Sequence, residues 1–205
     1  MSYIPRHKVF ISYHHAGDQQ YKDHIIEQNS AYNIFDNYSV REKDIDDTDK
    51  TSEQIRRIIR DEYMRNATVL LLLCGQKTKM RKHVDWEIHT AMYHSDVNPQ
   101  MGIVVVNLPT INQNQRSSCD DDEEYFGYAD WCPESKIRAD IDRYYPYLPD
   151  RIAENFTRND IYIPIVNWNI ISGNIYNLAG IIDVAYNNRY NNRYDPSTSL
   201  RRNNS

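Results

Sequence analysis

Glycine is scarce in this chain, which has six glycines among its 205 residues. The patterns GxGxxG and GxxxxGK[ST] are both absent, so neither a standard dinucleotide-binding loop nor a P-loop is present. The GxSxG pattern of a nucleophile elbow and the HExxH pattern of a zinc helix are absent too. These absences exclude the common phosphate-binding loops and two familiar hydrolase motifs.

Cysteine and long apolar runs are also in short supply, and the 29 acidic residues outnumber the 24 lysines and arginines. Cys74, Cys119 and Cys132 are too few and too scattered for a disulfide framework or a cysteine-based zinc site. No apolar run approaches the length of a membrane span, and the first residues lack the pattern of a signal peptide. The net charge of −5 indicates no general basic surface. We expect a soluble, cytoplasmic protein that binds neither nucleic acid nor a membrane.

Apolar runs predict the strands of a sheet. Two of them show no alternation with polar residues, which is typical of parallel strands that are covered on both faces. Pro164 marks the last predicted strand as an edge strand or a bulge. The predicted strands are 8–13, 32–38, 68–74, 102–108 and 161–168, of which 68–74 and 102–108 are the unbroken runs.

Helical patterns alternate with these strands. A weak pattern covers 19–30, and Thr51 and Gln54 have the spacing of a capping box before a clear helix to residue 63. Further helices are predicted over 83–95 and 175–186. Alternating strands and helices predict an α/β fold: an open, mostly parallel, five-stranded sheet with helices on both faces. Ligands of such sheets bind beyond the carboxyl ends of the strands.

One domain is predicted over residues 1–187. Residues 110–158 break the pattern and are interpreted as an insertion with short helices before the last strand. The acidic run 120–124 within it is either a solvated loop or a partner-binding surface. Residues 188–205 are polar and contain the repeat NNRYNNRY, so we expect a disordered tail.

Glu87 is the most informative polar residue of the predicted helix 83–95. Val84, Ile88, Ala91 and Met92 form an apolar stripe, and Glu87 lies on its border beside Trp86. A carboxylate held there is partly desolvated, so it is either paired or poised for chemistry. The alternative is a border residue that extends into water. A metal site on the shared stripe of His83, Glu87, Thr90 and His94 is the weaker alternative, because no second cluster supplies further ligands.

Three segments together resemble TIR and TIR-like domains. KVFISYHHAGD is similar to their first strand and loop, and TVLLLLCG followed by VDWEI is similar to their third strand and the helix with the catalytic glutamate. The WEI form resembles the bacterial TIR-like proteins of the Thoeris anti-phage defence system. The resemblance covers residues 6–109, and more loosely 160–187. One departure is that many TIR enzymes have a Trp-Cys pair a few residues before the glutamate, whereas Trp86 here directly precedes Glu87.

The resemblance implies a TIR, flavodoxin-like fold and an enzyme that cleaves NAD⁺ at the nicotinamide–ribose bond. It further implies a cyclic ADP-ribose-type product that activates a separate NAD-consuming effector, a phage-derived trigger, and self-association through TIR surfaces. NAD⁺ is the substrate, and no metal or other cofactor is implied. By the same resemblance Glu87 is the catalytic carboxylate. The residues implied at the substrate site are Tyr13, His14 and His15 after the first strand, Asp36, Asn37 and Ser39 after the second, and Trp86, which with Tyr13 is available for stacking on a base.

Two other functions remain open at this point. Many TIR domains are non-catalytic interaction modules, and such a scaffold needs no carboxylate at the position of Glu87. A nucleoside-processing transferase of similar α/β type also uses a carboxylate, and it would act on free nucleosides without NAD⁺. We favour the enzyme because a half-buried glutamate at the rim of a parallel sheet only carries a cost in a scaffold.

Overall fold

Two unbroken apolar runs form the centre of a parallel sheet. In the computed structural model, which describes residues 5–39, 51–95, 98–111 and 135–204, strands β3 (Val69–Cys74) and β4 (Gly102–Asn107) are buried at every position. They pair in parallel from Val69 opposite Gly102 to Cys74 opposite Asn107. Because both faces of these strands are covered, every position favours an apolar residue, which explains the missing alternation.

Three shorter strands complete the sheet. β1 (Lys8–Ser12) lies beside β3, β2 (Asp36–Asn37) lies beside β1, and β5 (Ile165–Asn167) lies beside β4. All pairings are parallel, and the strand order is β2-β1-β3-β4-β5. The predicted five-stranded α/β fold is confirmed, and the sheet is parallel throughout.

One face of the sheet is covered by helices from both ends of the chain. These are α1 (His15–Tyr32), α6 (Trp168–Ser172) and α7 (Ile175–Asn188). They pack on one set of alternating strand residues, which includes Val9 and Leu71. Successive side chains of a strand point to opposite faces, so the intervening residues belong to the other layer.

The other face carries the helices of the middle of the chain. α2 (Ser52–Ile58) continues into a π-helical turn (Ile59–Met64), and α3 (Lys82–Met92), α4 (Arg138–Tyr144) and α5 (Asp150–Phe156) follow. The strand residues on this face are Phe10, Leu70, Leu72, Cys74, Ile103 and Val105. Within the described ranges, no helix is both long and apolar enough to cross a membrane.

Two predicted strands are shorter in the structure. The predicted second strand, 32–38, reduces to β2 because α1 extends to Tyr32 and Asn33 then adopts a left-handed conformation with φ 52°. The predicted last strand, 161–168, reduces to β5, which begins directly after Pro164. Proline cannot donate a ladder hydrogen bond, so pairing begins after it.

The predicted capping box before α2 is confirmed. The backbone N–H of Thr51 donates to Gln54 Oε1 at 2.7 Å, and the N–H of Gln54 donates to Thr51 Oγ1 at 3.3 Å. In the predicted insertion, α4 and α5 are short helices. The acidic run 120–124, and with it Cys119 and Cys132, lies outside the described residues.

The structure differs from the predicted disordered tail over residues 189–204, which we call the C-terminal segment. Its backbone runs along α5 and then along α3. Asn155 of α5 donates to the carbonyl of Asp195 and accepts from its N–H at 2.8 Å. Trp86 of α3 donates its indole N–H to the carbonyl of Arg201 at 3.0 Å. The Asn204 side chain accepts from the N–H of Lys82 at the start of α3 at 2.9 Å.

Arg151 explains why such a polar segment packs against α3 and α5. This residue of α5 is 1% exposed. Its guanidinium donates to the carbonyls of Pro196, Thr198 and Ser199 and pairs with Asp85 of α3, with 2.9 Å between Nε and Oδ1. A buried guanidinium needs acceptors for its five N–H groups, and Asp85 and the segment's backbone supply them together. The composition of residues 189–204 does not indicate that a residue elsewhere in the chain, Arg151, binds their backbone.

Candidate active site

Glu87 is buried beside the sheet. α3 begins after the seven-residue loop 75–81 that follows β3, and its stripe of Val84, Ile88, Ala91 and Met92 packs on the sheet as the spacing predicts. Glu87 is 9% exposed, so its side chain does not extend into solvent. A helix that follows a parallel strand begins at the carboxyl edge of the sheet, where ligands of such folds bind.

Burial makes the Glu87 carboxyl easy to protonate. It raises the pKa of this group from 4.5 to about 7, because the charged form loses the solvation it would have in water. The Ser12 hydroxyl opposes that rise of the pKa. Near neutral pH, both the neutral and the charged forms of Glu87 are therefore populated, which is the range in which a carboxyl group serves as an acid, a base or an anion.

Ser12 is a site residue that the sequence did not single out. It is the last residue of β1, is 1% exposed, and follows Phe10 on the face that α3 covers. Its position within the β-rich run KVFISY is typical of any strand end. The signal available in the sequence was the period of two, which places residues 10 and 12 on one face.

Tyr13 lies on the opposite face of the sheet from Glu87. Its ring packs in the cluster with Val9, and its hydroxyl donates to Gln19 Oε1 at 2.6 Å. His15 is exposed and stacks on Tyr13 with 4.3 Å between ring centroids. The structure thus groups these two predicted site residues with each other and not with Ser12.

His14 lies at the rim of the loop before α3. It is half-buried at the start of α1. Burial lowers the pKa of its imidazole, and the positive charges of Arg81 and Lys77 lower it further. Both cations belong to the loop 75–81, so His14 lies near the loop that leads into α3, at the carboxyl edge of the sheet.

The three site residues predicted after the second strand do not lie together in the structure. Asp36 and Asn37 pair with Lys8 and Val9 at the start of β1. Since a strand rises about 3.3 Å per residue, these positions are roughly 10 Å or more from Ser12 along the sheet. Ser39 lies closer, because its hydroxyl accepts the backbone N–H of Ile11 at 2.9 Å.

Trp86 is buried against the C-terminal segment. Besides its bond to Arg201, the indole makes an edge contact with His83 at 4.9 Å between ring centroids, and Lys82 lies over its face at 5.5 Å. Stacking of Trp86 on a substrate base would require the C-terminal segment to move away from the indole.

Asp18 is a second buried carboxyl at this edge of the sheet. It is 4% exposed, burial raises its pKa, and the Thr78 hydroxyl lies 3.4 Å from Asp18 Oδ2. Thr78 also accepts the N–H of Gly75 at 2.8 Å. A Cβ at Gly75 would lie 2.5 Å from Asp18 Oδ2, so a larger residue at this position would displace the Asp18 side chain. The group holds the loop 75–81 against α1.

Cys74 ends β3 on the same face as Ser12. Its thiol donates to the carbonyl of Tyr147 at 3.2 Å, and burial raises its pKa to about 12. It therefore stays a neutral thiol, as expected of a buried cysteine. In the described part of the chain, no three histidine, cysteine or acidic side chains gather as metal ligands would.

The sheet order defines the fold class of the protein. A parallel five-stranded sheet of order β2-β1-β3-β4-β5 is a flavodoxin-like α/β fold, and here the helix after β3 carries a buried glutamate. The family described as Thoeris protein ThsB, TIR-like domain, matches residues 10–113, about half of the chain, and the chain belongs to that family. The match includes both Ser12 and Glu87. No curated protein matches the chain.

Proposed function

We propose that this chain is an NAD⁺-cleaving TIR enzyme of bacterial anti-phage defence, with Glu87 as its catalytic carboxylate. One observation carries the proposal: a buried carboxyl group with a pKa of about 7 lies on α3, at the carboxyl edge of the sheet. Family membership supports the defence context. The substrate, the product and the role of Glu87 are the proposed parts.

The chemistry suits a lone carboxylate. In NAD⁺ the nicotinamide nitrogen carries a positive charge, so the C1′–N bond can break with its electron pair passing to the nicotinamide, which leaves neutral. No acid is needed to protonate the leaving group. The ribose becomes an oxocarbenium-like cation, and a carboxylate in a water-poor site stabilises that charge and hydrogen-bonds the ribose hydroxyls.

The product depends on which nucleophile reaches C1′. Water would give ADP-ribose, whereas a nucleophilic group of the same nucleotide would close a ring and release one proton. Cyclisation requires that water be excluded and that the two ends of the nucleotide be held together. We propose a cyclic ADP-ribose-type product that diffuses to a separate NAD-consuming effector after a phage-derived trigger. Self-association through TIR surfaces and a cytoplasmic location belong to the same proposal.

The test compares wild type, Glu87→Gln and the exposed control Glu27→Gln in cells with and without phage. Nicotinamide, NAD⁺ and species of ADP-ribose mass are followed by mass spectrometry, and thermal melts confirm folding of each variant. We expect a cyclic ADP-ribose-mass product in wild type and Glu27→Gln and a loss of at least about 100-fold in Glu87→Gln.

Two results would count against the proposal. If Glu87→Gln forms as much product as wild type, Glu87 is not the catalytic residue. If nucleotides are unchanged in every sample while cells remain protected from phage, the chain is a TIR-like interaction module and not an enzyme.

A further inference from the structure

Ser12 and Glu87 form a pair of buried polar groups within an otherwise apolar layer. Ser12 is 1% exposed and Glu87 is 9% exposed. Their neighbours in this layer include Phe10, Leu72 and Val84. An isolated hydroxyl in such surroundings carries a free-energy cost unless it is hydrogen-bonded, so its presence at a strand end calls for an explanation.

The protein itself offers Ser12 little else to bind. Among the residues that the structure describes, no group lies at hydrogen-bond geometry from its Oγ. Two other serines differ in this respect: Ser39 accepts from the N–H of Ile11, and Ser30 of α1 donates to the carbonyl of Ile26. The Glu87 carboxyl is the polar group that the Ser12 hydroxyl influences.

We propose that Ser12 is a positioning residue for Glu87: its hydroxyl donates to one carboxylate oxygen and leaves the other oxygen directed at the ribose of the substrate. This inference rests on the proposed function. Catalytic hydrogen bonds are commonly long in ligand-free sites and tighten when substrate binds. β1 is held in the sheet by β3, so it provides a fixed support for the carboxylate.

The bond has a consequence that a purely structural serine would lack. Donation to the carboxylate favours the charged form of Glu87 and lowers its pKa against the effect of burial. Without the hydroxyl, the pKa of Glu87 rises above about 7. For a rise of about one pH unit, the charged fraction at pH 7 falls from about one half to about one tenth, which is a loss of about 5-fold.

The groups around Glu87 bear on this pH dependence. On α3 itself, Asp85 is engaged with Arg151, and His83 packs on Trp86. From the facing strands come Ser12 and the thiol of Cys74, whose pKa burial raises to about 12. The Ser12 hydroxyl acts on the carboxyl of Glu87, so a titration that Ser12→Ala displaces is assigned to Glu87.

The experiment uses Ser12→Ala, Ser12→Thr and the control Ser30→Ala in the full chain. The pH profile of NAD⁺ cleavage is measured from pH 5.5 to 9.5. In parallel, the Glu87 pKa is measured by NMR of ¹³C-labelled glutamate carboxyls, with the signal assigned through Glu87→Gln. For Ser12→Ala we expect the acid limb and the measured pKa to move up together by about one pH unit. Activity of Ser12→Ala should fall about 5-fold at pH 7 and recover above pH 9. Ser12→Thr keeps a hydroxyl, so its pKa shift should be smaller than that of Ser12→Ala.

The two readouts separate this inference from the function on which it rests. An unchanged Glu87 pKa in folded Ser12→Ala overturns the role of Ser12, whatever the turnover. A raised pKa without NAD⁺ cleavage in any variant supports the Ser12–Glu87 bond and overturns the proposed reaction. If Ser30→Ala shifts the profile as much as Ser12→Ala does, the effect is not specific to the pair, and the inference fails.

Discussion

At the scale of single residues, burial of Glu87 weakens the fold in a pH-dependent way. Its pKa is 4.5 in water and about 7 in the folded protein, so the folded state binds the extra proton between these values. Below pH 4.5 Glu87 is protonated in both the folded and the unfolded state, so its titration does not change the free energy of unfolding. Above pH 7 the charged side chain must be buried, which costs at most about 3 kcal/mol, at 1.36 kcal/mol per pKa unit.

Glu87→Gln should therefore stabilise the protein at alkaline pH relative to acid pH. We expect its melting temperature to gain several degrees over wild type between pH 5 and pH 8, at roughly 2–4 °C per kcal/mol for a chain of this size. Any pH-independent effect of the glutamine amide at position 87 is the same at both pH values, so it cancels when the two melting-temperature differences are compared. Thermal melts at each pH measure the gain, with the exposed Glu27→Gln as the control. A gain that is equal at both pH values would show that Glu87 is not held in a buried state.

At the scale of secondary-structure elements, the close approach of β4 and α7 depends on Gly102. A Cβ at this position would lie 2.3 Å from the carbonyl oxygen of Ala185. Backbone cannot move aside as a flexible side chain can, so Gly102→Ala must push α7 away from the strand. We expect a loss of about 1–3 kcal/mol or more of unfolding free energy, measured by urea denaturation.

Gly173 provides the matched control for this substitution. A Cβ there would lie 3.4 Å from the carbonyl oxygen of Asn169, and its φ is −78°. Gly173→Ala should therefore be neutral or slightly stabilising, by less than about 1 kcal/mol. Equal effects of the two substitutions would contradict the close packing of β4 against α7.

The same elements show what sequence patterns can and cannot predict. The apolar runs of β3 and β4 and the stripe of α3 were predictable, because burial on both faces or on one stripe fixes which residue types are allowed. Glu87 was noticeable because it lies on the border of such a stripe. Ser12 and Asp18 were not, since a serine at a strand end and an aspartate in the first turn of a helix are ordinary until another element packs over them. β5 and β2 were overestimated because β propensity does not show where pairing ends.

At the scale of the whole molecule, the C-terminal segment is joined to α3, which lies in the middle of the sequence. The C-terminal segment contacts Lys82, Asp85 and Trp86, all within the turn and a half before Glu87. None of these contacts could be inferred from local patterns, because they join residues more than a hundred positions apart. Their common anchor is Arg151, whose side chain is buried between Asp85 and the backbone of the segment.

Arg151→Met should therefore destabilise the entire domain. The substitution leaves the Asp85 carboxylate and several backbone carbonyls without their buried donor, and breaking such a pair typically costs about 3–5 kcal/mol. The exposed Arg202→Met serves as the control, with an expected effect below about 0.5 kcal/mol. Urea denaturation measures both.

A truncation identifies the origin of that cost. If Arg151 stabilises the domain by holding the C-terminal segment, removal of residues 195–205 should destabilise the chain, and Arg151→Met should cost less in the truncated chain than in the full one, because residues in one network are not additive. If truncation leaves stability unchanged, the segment does not support α3, and the position of Glu87 depends on the sheet and its helices alone. If the two losses simply add, Arg151 does not act through the segment.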